Sequence, residues 1–390
     1  MPSLAARSTT DQPSAIAAAI ALSVIGVSFF MAMPVVVSAW STYAGISAKQ
    51  AGLLAAIDSG GGVVASLLVA QIISRVNWRL IAGVGIAIAA TANLVSVYAD
   101  TFPLLGMARA LAGFGSGMVY ALGLGVLATT HHTGRNFSIL LFTQVSFGML
   151  EINVFPHLAE SAGISGIYMA MAVAFIVSTA FLRWLPQAAT EPTAANNVSL
   201  DTSPGHLGVL PYLCLGAVFL FYISMGSLWA YIELIGRSGG LSESVVTASL
   251  TYTQLLSLLG CVVAGWLSGR IGQSRPLIAS LFFAALAIFS LSLGITTLSF
   301  IVVLCVFFFL WNAIDIYQLG TLGNMDHSGR FAAMVPAFQM TAAALGPALA
   351  AGLLAWQGNY RAVLLMAAAC LFCAMLLYTY VYVRRRSVSV

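Results

Sequence analysis

The sequence predicts an all-α integral membrane protein, with twelve transmembrane helices in two pseudo-symmetric six-helix bundles. Three observations predict it: a large excess of apolar residues, twelve runs long enough to cross a bilayer, and charged loops that repeat at half the chain length. Hydrophobic residues make up 60% of the 390 positions and charged residues 7%, with a mean hydropathy of +0.98. A soluble globular chain carries roughly 25% charged residues, so the surplus apolar surface must face lipid.

A helix needs about 20 predominantly apolar residues to span the hydrocarbon core. Such runs lie at 16–39, 50–73, 80–98, 103–126, 136–158, 166–185, 208–234, 244–267, 276–295, 299–322, 331–355 and 361–383. Only helices and closed barrels satisfy their backbone in lipid, and the absence of period-2 alternation selects helices. The first run follows a mixed segment, 1–15, is too long for a signal-peptide core and leads into Trp40 without a cleavage site, so it reads as a retained first helix. Residues 186–207, with Pro186, Pro192, Pro204, Asn196 and Asn197, read as a linker between a bundle over 16–185 and one over 208–383. A basic tail follows at 384–390.

The repeat carries the next inference. His132-Thr133-Gly134-Arg135 is echoed by His327-Ser328-Gly329-Arg330, and Ser74-Arg75 by Gly269-Arg270, both at an offset of 195 residues. Many secondary transporters are built from such duplicated membrane units. Placing both termini in the cytoplasm puts eleven of the fifteen Lys/Arg there: Arg7, Arg75, Arg79, Arg135, Arg183, Arg270, Arg275, Arg330, Arg384, Arg385 and Arg386. Lys49, Arg237 and Arg361 fall outside, as the positive-inside rule expects, and Arg109 falls within a helix. The net charge of +4 is thus a consequence of topology and gives no reason to expect a nucleic-acid partner. Cys214, Cys261, Cys305, Cys370 and Cys373 all lie in apolar runs and read as core thiols. No phosphate loop, nucleophile–base pair or metal-spaced cluster is present, so no enzyme activity, metal or cofactor is expected.

These features together resemble the major facilitator superfamily across essentially the whole chain. That family's loop between helices two and three reads G-x-L-A-D-R-x-G-R-R. Here the first copy, Ala70-Gln71-Ile72-Ile73-Ser74-Arg75-Val76-Asn77-Trp78-Arg79, keeps two arginines but lacks the Asp. The second copy, Gly265-Trp266-Leu267-Ser268-Gly269-Arg270-Ile271-Gly272, is closer, and Arg109 to Gly115 follows the family's R-x-x-x-G-x-G pattern in helix four. The drug–proton antiporter signature G-x-x-x-G-P is missing from helix five, while Gly346-Pro347 stands in helix eleven. The resemblance implies alternating access around a central cavity faced by helices one, two, four and five of the first bundle. It gives Arg75, Arg79, Arg135, Arg270 and Arg330 the part of conformational loops.

Charges at membrane depth mark substrate or ion pathways, and five lie within the runs: Asp58, Arg109, Glu151, Glu233 and Asp315. At about 1.5 Å rise per residue, Asp58, Arg109 and Glu151 share a level in the outer half of the first bundle, with Arg109 between two carboxylates. A carboxylate in low dielectric holds its proton more tightly, and an adjacent arginine opposes this. Glu151 or Asp58 is therefore the expected proton carrier and Arg109 the switch. The alternative is a permanent Asp58–Arg109 lock between helices two and four. Gln144 and Gly148 extend the Glu151 face. Trp229 and Glu233 share a face suited to an organic cation, unless Glu233 pairs with Arg237 at i+4. Trp311, Asp315 and Gln318 form one polar stripe on helix ten.

The expected activity is proton-coupled secondary transport of a small cationic or polar neutral solute. An organic-anion transporter using Arg109, a uniporter, and a non-transporting sensor or lipid-handling protein are the alternatives. The chain is expected as a monomer, and its short loops point to a bacterial inner membrane.

Overall fold

The computed structural model describes residues 9–188, 208–326 and 328–388. Residues 1–8 with Arg7, the linker from 189 to 207, His327 and the last two residues lie outside the described residues, as do the side chains of Lys49 and Arg386. Within the described residues the backbone forms thirteen α-helices and two short 3-10 turns.

The first predicted run is two helices, α1 (Pro13–Met31) and α2 (Met33–Tyr43), divided at Ala32. Pro34 causes the division, since it offers no N–H to the preceding turn and its ring crowds that turn. The second to fourth runs are α3 (Ala48–Ile72), α4 (Trp78–Val97) and α5 (Phe102–Ala128). Ser47 and Gln50 close a capping box on α3, and Asn77 and Thr101 cap α4 and α5. The fifth and sixth runs, expected as separate helices with a break between 158 and 166, lie in α6 (Thr133–Ser178) and a 3-10 turn, Thr179–Trp184, with α6 divided by a kink inside the expected break. Their division shrinks to two non-helical residues, Ala162 and Gly163, where Gly163 has φ 62° and ψ −164°, a conformation open to glycine alone.

The seventh run is α7 (Leu210–Ser238), and the eighth is broken at Leu255 into α8 (Glu243–Gln254) and α9 (Leu256–Ile271). The remainder are α10 (Ser274–Leu293), α11 (Thr297–Gly323), α12 (Arg330–Gln357) and α13 (Arg361–Val388). Among the described residues, ten helical stretches are long and apolar enough to cross a membrane, one being the 52-residue stretch Thr133–Trp184 that holds two predicted runs. Two expected boundaries move. The first helix begins at Pro13 inside the expected tail, and Arg384 and Arg385 continue α13 instead of leaving it. Cys373 is exposed on α13, unlike buried Cys214 and Cys261.

The chain divides into two compact units, one of Met1–Asn136, Thr143–Ser203 and Asp326–Ala337, the other of Phe137–Phe142, Pro204–Met325 and Phe338–Val390. In the first unit α5 is the hub, packed by α1, α3 and α4. Its small residues permit this on three sides. Gly113 lies against the Asp58 backbone of α3, Gly115 against Gly85 and Ala89 of α4, and Gly123 against Ala19 and Ser23 of α1. In the second unit α13 packs on α7 and α10, while α11 packs on α9 and α10. The α7–α12 crossing is as close: a Cβ on Gly226 would stand 2.7 Å from the Ala343 carbonyl oxygen.

A methyl group at position 113 would overlap the Asp58 carbonyl, whereas one at Gly60 meets nothing within 4 Å. Gly113→Ala is therefore expected to lower the thermal unfolding temperature in detergent, at an overpacking cost of about 1–3 kcal/mol. Gly60→Ala should leave it unchanged or raise it, and equal effects would remove the close-approach explanation.

Candidate functional site

The first unit buries a polar network centred on α5. Arg109, 1% exposed, donates from Nε and Nη2 to Asp58 Oδ1 at 3.0 and 2.7 Å. Its Nη1 donates to Asn93 Oδ1 at 3.0 Å and to Ser96 Oγ at 3.5 Å, both on α4. Aromatic rings contact it as well: the Phe29 ring centroid lies 4.1 Å from the guanidinium carbon and the Tyr168 centroid 5.2 Å. Tyr168 is itself held through its hydroxyl by Trp40 Nε1. The cation thus ties α3, α4 and α5 together beneath side chains from α1 and α6.

Glu151 stands apart from this pair, which corrects the expectation of an arginine between two carboxylates. Its Oε1 accepts a hydrogen bond from Ser28 Oγ, and its Oε2 is buried without a partner among the described residues. Ser28 precedes Phe29, so one turn of α1 supplies both the Glu151 partner and the ring over Arg109. Gln144, two turns earlier on α6, faces Met31, with its Nε2 3.7 Å from the sulfur and its Oε1 unpartnered.

The second unit holds a separate cluster. Asp315, 3% exposed on α11, accepts at Oδ2 from the Tyr222 hydroxyl of α7 at 2.8 Å. Gln339 of α12 donates from Nε2 to the same hydroxyl at 3.0 Å. The other carboxylate oxygen of Asp315, both amide atoms of Gln318 and the Thr321 hydroxyl are buried with no partner among the described residues. Four residues beyond Tyr222 and Gln339 lie Gly226 and Ala343, so the tight α7–α12 crossing brings the tyrosine and the amide together. One turn before Asp315, Trp311 packs edge-on against Trp229 with ring centroids 6.1 Å apart. Glu233 is not gathered into this cluster: it is half-exposed and ion-paired with Arg237 at 2.6 Å.

The loop arginines divide. Arg79 is committed to its own unit, donating to the Leu185 and Arg183 carbonyl oxygens at 2.6 and 3.1 Å. Arg270 lies over the Trp266 ring at 4.1 Å, and Arg75, Arg135 and Arg330 are exposed. Asp326 accepts from the Ser328 and Phe331 N–H groups at the start of α12. At the matching start of α6 the carboxylate comes from Asp11, which accepts from His131 N–H at 2.9 Å.

Sequence reasoning missed Ser28, Tyr222 and Gln339. The repeat itself points to Gln339, nine residues after Arg330 as Gln144 is nine after Arg135. Ser28 and Tyr222 carry no such signal, since each lies in an otherwise apolar run. Breaking the buried pair should be costly: Asp58→Asn or Arg109→Leu alone is expected to destabilise by about 3–5 kcal/mol, the penalty of a buried charge left without its partner. The double variant should recover much of that loss in thermal unfolding, and strictly additive losses would show that the pair is not coupled.

A family model described as the Major Facilitator Superfamily matches residues 18–325. No curated protein matches the chain in sequence. Among solved structures the fold is similar to the E. coli fucose:proton symporter, with TM-score 0.75 and 13% identity over 96% of this chain and 99% of that one. It is similar also to a proton:xylose symporter, with TM-score 0.72 and 15% identity over 93% of this chain and 95% of that one. A bacterial homologue of the iron transporter ferroportin, in its outward-facing state, gives TM-score 0.72 and 16% identity over 94% and 99%. The charged residues repeated at half-length, the helical spans and the family match together make this protein a member of the major facilitator superfamily, an integral membrane transporter and not an enzyme.

Proposed function

We propose that the protein is a proton-coupled secondary transporter of a small polar organic solute, neutral or cationic, working by alternating access, with Glu151 as its proton carrier. The observation that carries this reading is the state of Glu151. It is 3% exposed within a membrane-spanning unit, held at one oxygen by Ser28 and unpartnered at the other. A buried carboxylate oxygen without a partner is unfavourable when charged, and a proton on it supplies a donor as well as neutrality. Asp58 is less suited to cycling, because two guanidinium nitrogens hold it and Arg109 is covered by Phe29 and Tyr168. The same enclosure disfavours Arg109 as the receptor of an organic anion and suits the lock reading of the Asp58–Arg109 pair.

The solute class follows from the second unit. Asp315, Tyr222, Gln339 and Gln318 offer donors and acceptors in a buried setting beside the Trp229–Trp311 pair. Hydrogen-bonding groups with a flanking aromatic face suit a solute bearing several hydroxyls. Two of the structurally similar proteins are described as proton symporters of fucose and xylose and a third as a homologue of an iron transporter, so the solute class rests on the residues of the second unit. Gln144 is assigned to the same task in the first unit. Glu233, already paired with Arg237, is left out of the solute site.

The test is transport in proteoliposomes loaded with a pH-sensitive dye and challenged with neutral hydroxylated solutes and organic cations. Solute addition should move protons in the wild type. Glu151→Gln should reduce that proton movement to background while solute counterflow persists, and Asp315→Asn should lower counterflow itself. Proton movement surviving in Glu151→Gln would dismiss the carrier assignment, and solute flux with no proton movement in the wild type would make the protein a uniporter.

A further inference from the structure

In the second unit, α12 and α13 are joined by the short turn 358–360, and a groove of about 540 Å³ lies between the two helices next to this turn. Its walls include Leu349, Gly352 and Leu353 of α12 and Leu365 and Met366 of α13, and Gln357 is its one polar lining residue. Gly352 keeps the groove open, since a Cβ there would meet nothing within 4 Å. The membrane-spanning stretches Arg330–Gln357 and Arg361–Arg385 flank the turn, so the groove lies in the hydrocarbon and its mouth at the membrane boundary. Two side chains stand at that mouth. Trp356, one turn after Gly352, is 79% exposed, as befits an interfacial tryptophan. Arg361, one turn before Leu365, is exposed and has no hydrogen-bond or ion-pair partner among the described residues. The Asn359 side chain accepts from the Ala362 N–H at 3.4 Å and donates to the Gln357 carbonyl oxygen at 3.1 Å, which fixes the start of α13 and the backbone that carries the arginine. From Arg330 to Arg386 the sequence contains no Asp or Glu.

We propose that this groove seats one acyl chain of an acidic phospholipid and that Arg361 binds its phosphate. The volume lies within the range of small-ligand sites, about 300–1,000 Å³. A smooth helix face lets lipids pass over it, whereas an apolar groove with a cation at its mouth matches both ends of one lipid molecule. A guanidinium carries five N–H donors in a planar fork that suits phosphate oxygens. Charge selects the acidic headgroup, which is attracted by a cation at the membrane surface. A zwitterionic headgroup brings an ammonium as well, and α12 and α13 offer it no carboxylate. The apolar walls select a lipid over a soluble anion. The site shares no residue with the Asp315 cluster and requires neither proton coupling nor a particular solute.

The experiment titrates the purified full chain in neutral detergent with phosphatidylglycerol, phosphatidylcholine or inorganic phosphate. Lipid retention in native mass spectrometry and thermal unfolding are read together. One phosphatidylglycerol is expected to stay bound and to raise the unfolding temperature. Arg361→Gln should weaken its binding about fivefold, the share of one surface cation, and Arg361→Lys should stay close to wild type. Gly352→Leu fills the groove and should abolish retention, while the lipid-free protein unfolds at or above the wild-type temperature. If that variant does not fold, Gly352→Ala, whose added methyl meets no neighbour, should fold and bind more weakly than wild type. Undiminished retention by the Gly352 variants would overturn the groove, and undiminished binding by Arg361→Gln would overturn the phosphate contact. Equal retention of phosphatidylcholine would overturn the acidic headgroup. A thermal shift of the same size from inorganic phosphate alone would make this a soluble-anion site and overturn the lipid.

Discussion

A guanidinium cannot stand alone in hydrocarbon, and the first unit is organised around that constraint. Arg109 lies on α5, and each of its polar partners is supplied by a neighbouring helix: Asp58 by α3, Asn93 and Ser96 by α4. Side chains this short reach it only because the helices approach to backbone contact at Gly113 and Gly115. The glycines and the ion pair are therefore one device. Packing of small residues sets the spacing, and the charge network then penalises any departure from it. Phe29 and Tyr168 complete the enclosure with their aromatic rings against the guanidinium. A charge so fully engaged is a fixed point of the first unit, and Glu151, with one oxygen unpartnered, takes no part in its bonding.

Much of this was legible in the residues. The apolar runs located the helical stretches, because length and composition decide what can cross a bilayer, but not the divisions within the first and eighth runs. The depth argument placed Asp58 and Arg109 at one level, and they are in fact paired. What failed were inferences that needed tertiary direction. Depth cannot say which way a side chain points, and Glu151 turns to Ser28 rather than to the arginine. The helix-face argument joined Trp229 to Glu233, but Trp229 packs against Phe308 and Trp311 while Glu233 takes Arg237. The break between the fifth and sixth runs falls where the runs leave a gap, but it is far shorter than that gap. Gly163 makes the turn almost alone, and a single glycine among several in a segment announces no such role.

The repeat was legible as loops and becomes informative as chemistry. Gln144 and Gln339 keep matching places in the two halves, and the starts of α6 and α12 each receive a carboxylate, from Asp11 in one and Asp326 in the other. The acids inside the helices do not match. The position equivalent to Glu151 is Gly346, and the one equivalent to Asp315 is Tyr120. Packing explains the first difference. A Cβ on Gly346 would stand 2.6 Å from the Ile223 carbonyl oxygen, so the α7–α12 crossing excludes any larger residue there.

With Gly346 at a helix contact, the second half cannot house a titratable group at that position, and its buried acid lies on α11 instead. The two halves are then no longer interchangeable parts. A chain built from two first halves would carry the acid of α6 twice and lack the Tyr222–Asp315–Gln339 cluster, while two second halves would carry that cluster twice and have no counterpart of Glu151. The repeat is kept in the loop residues and absent from the buried acids.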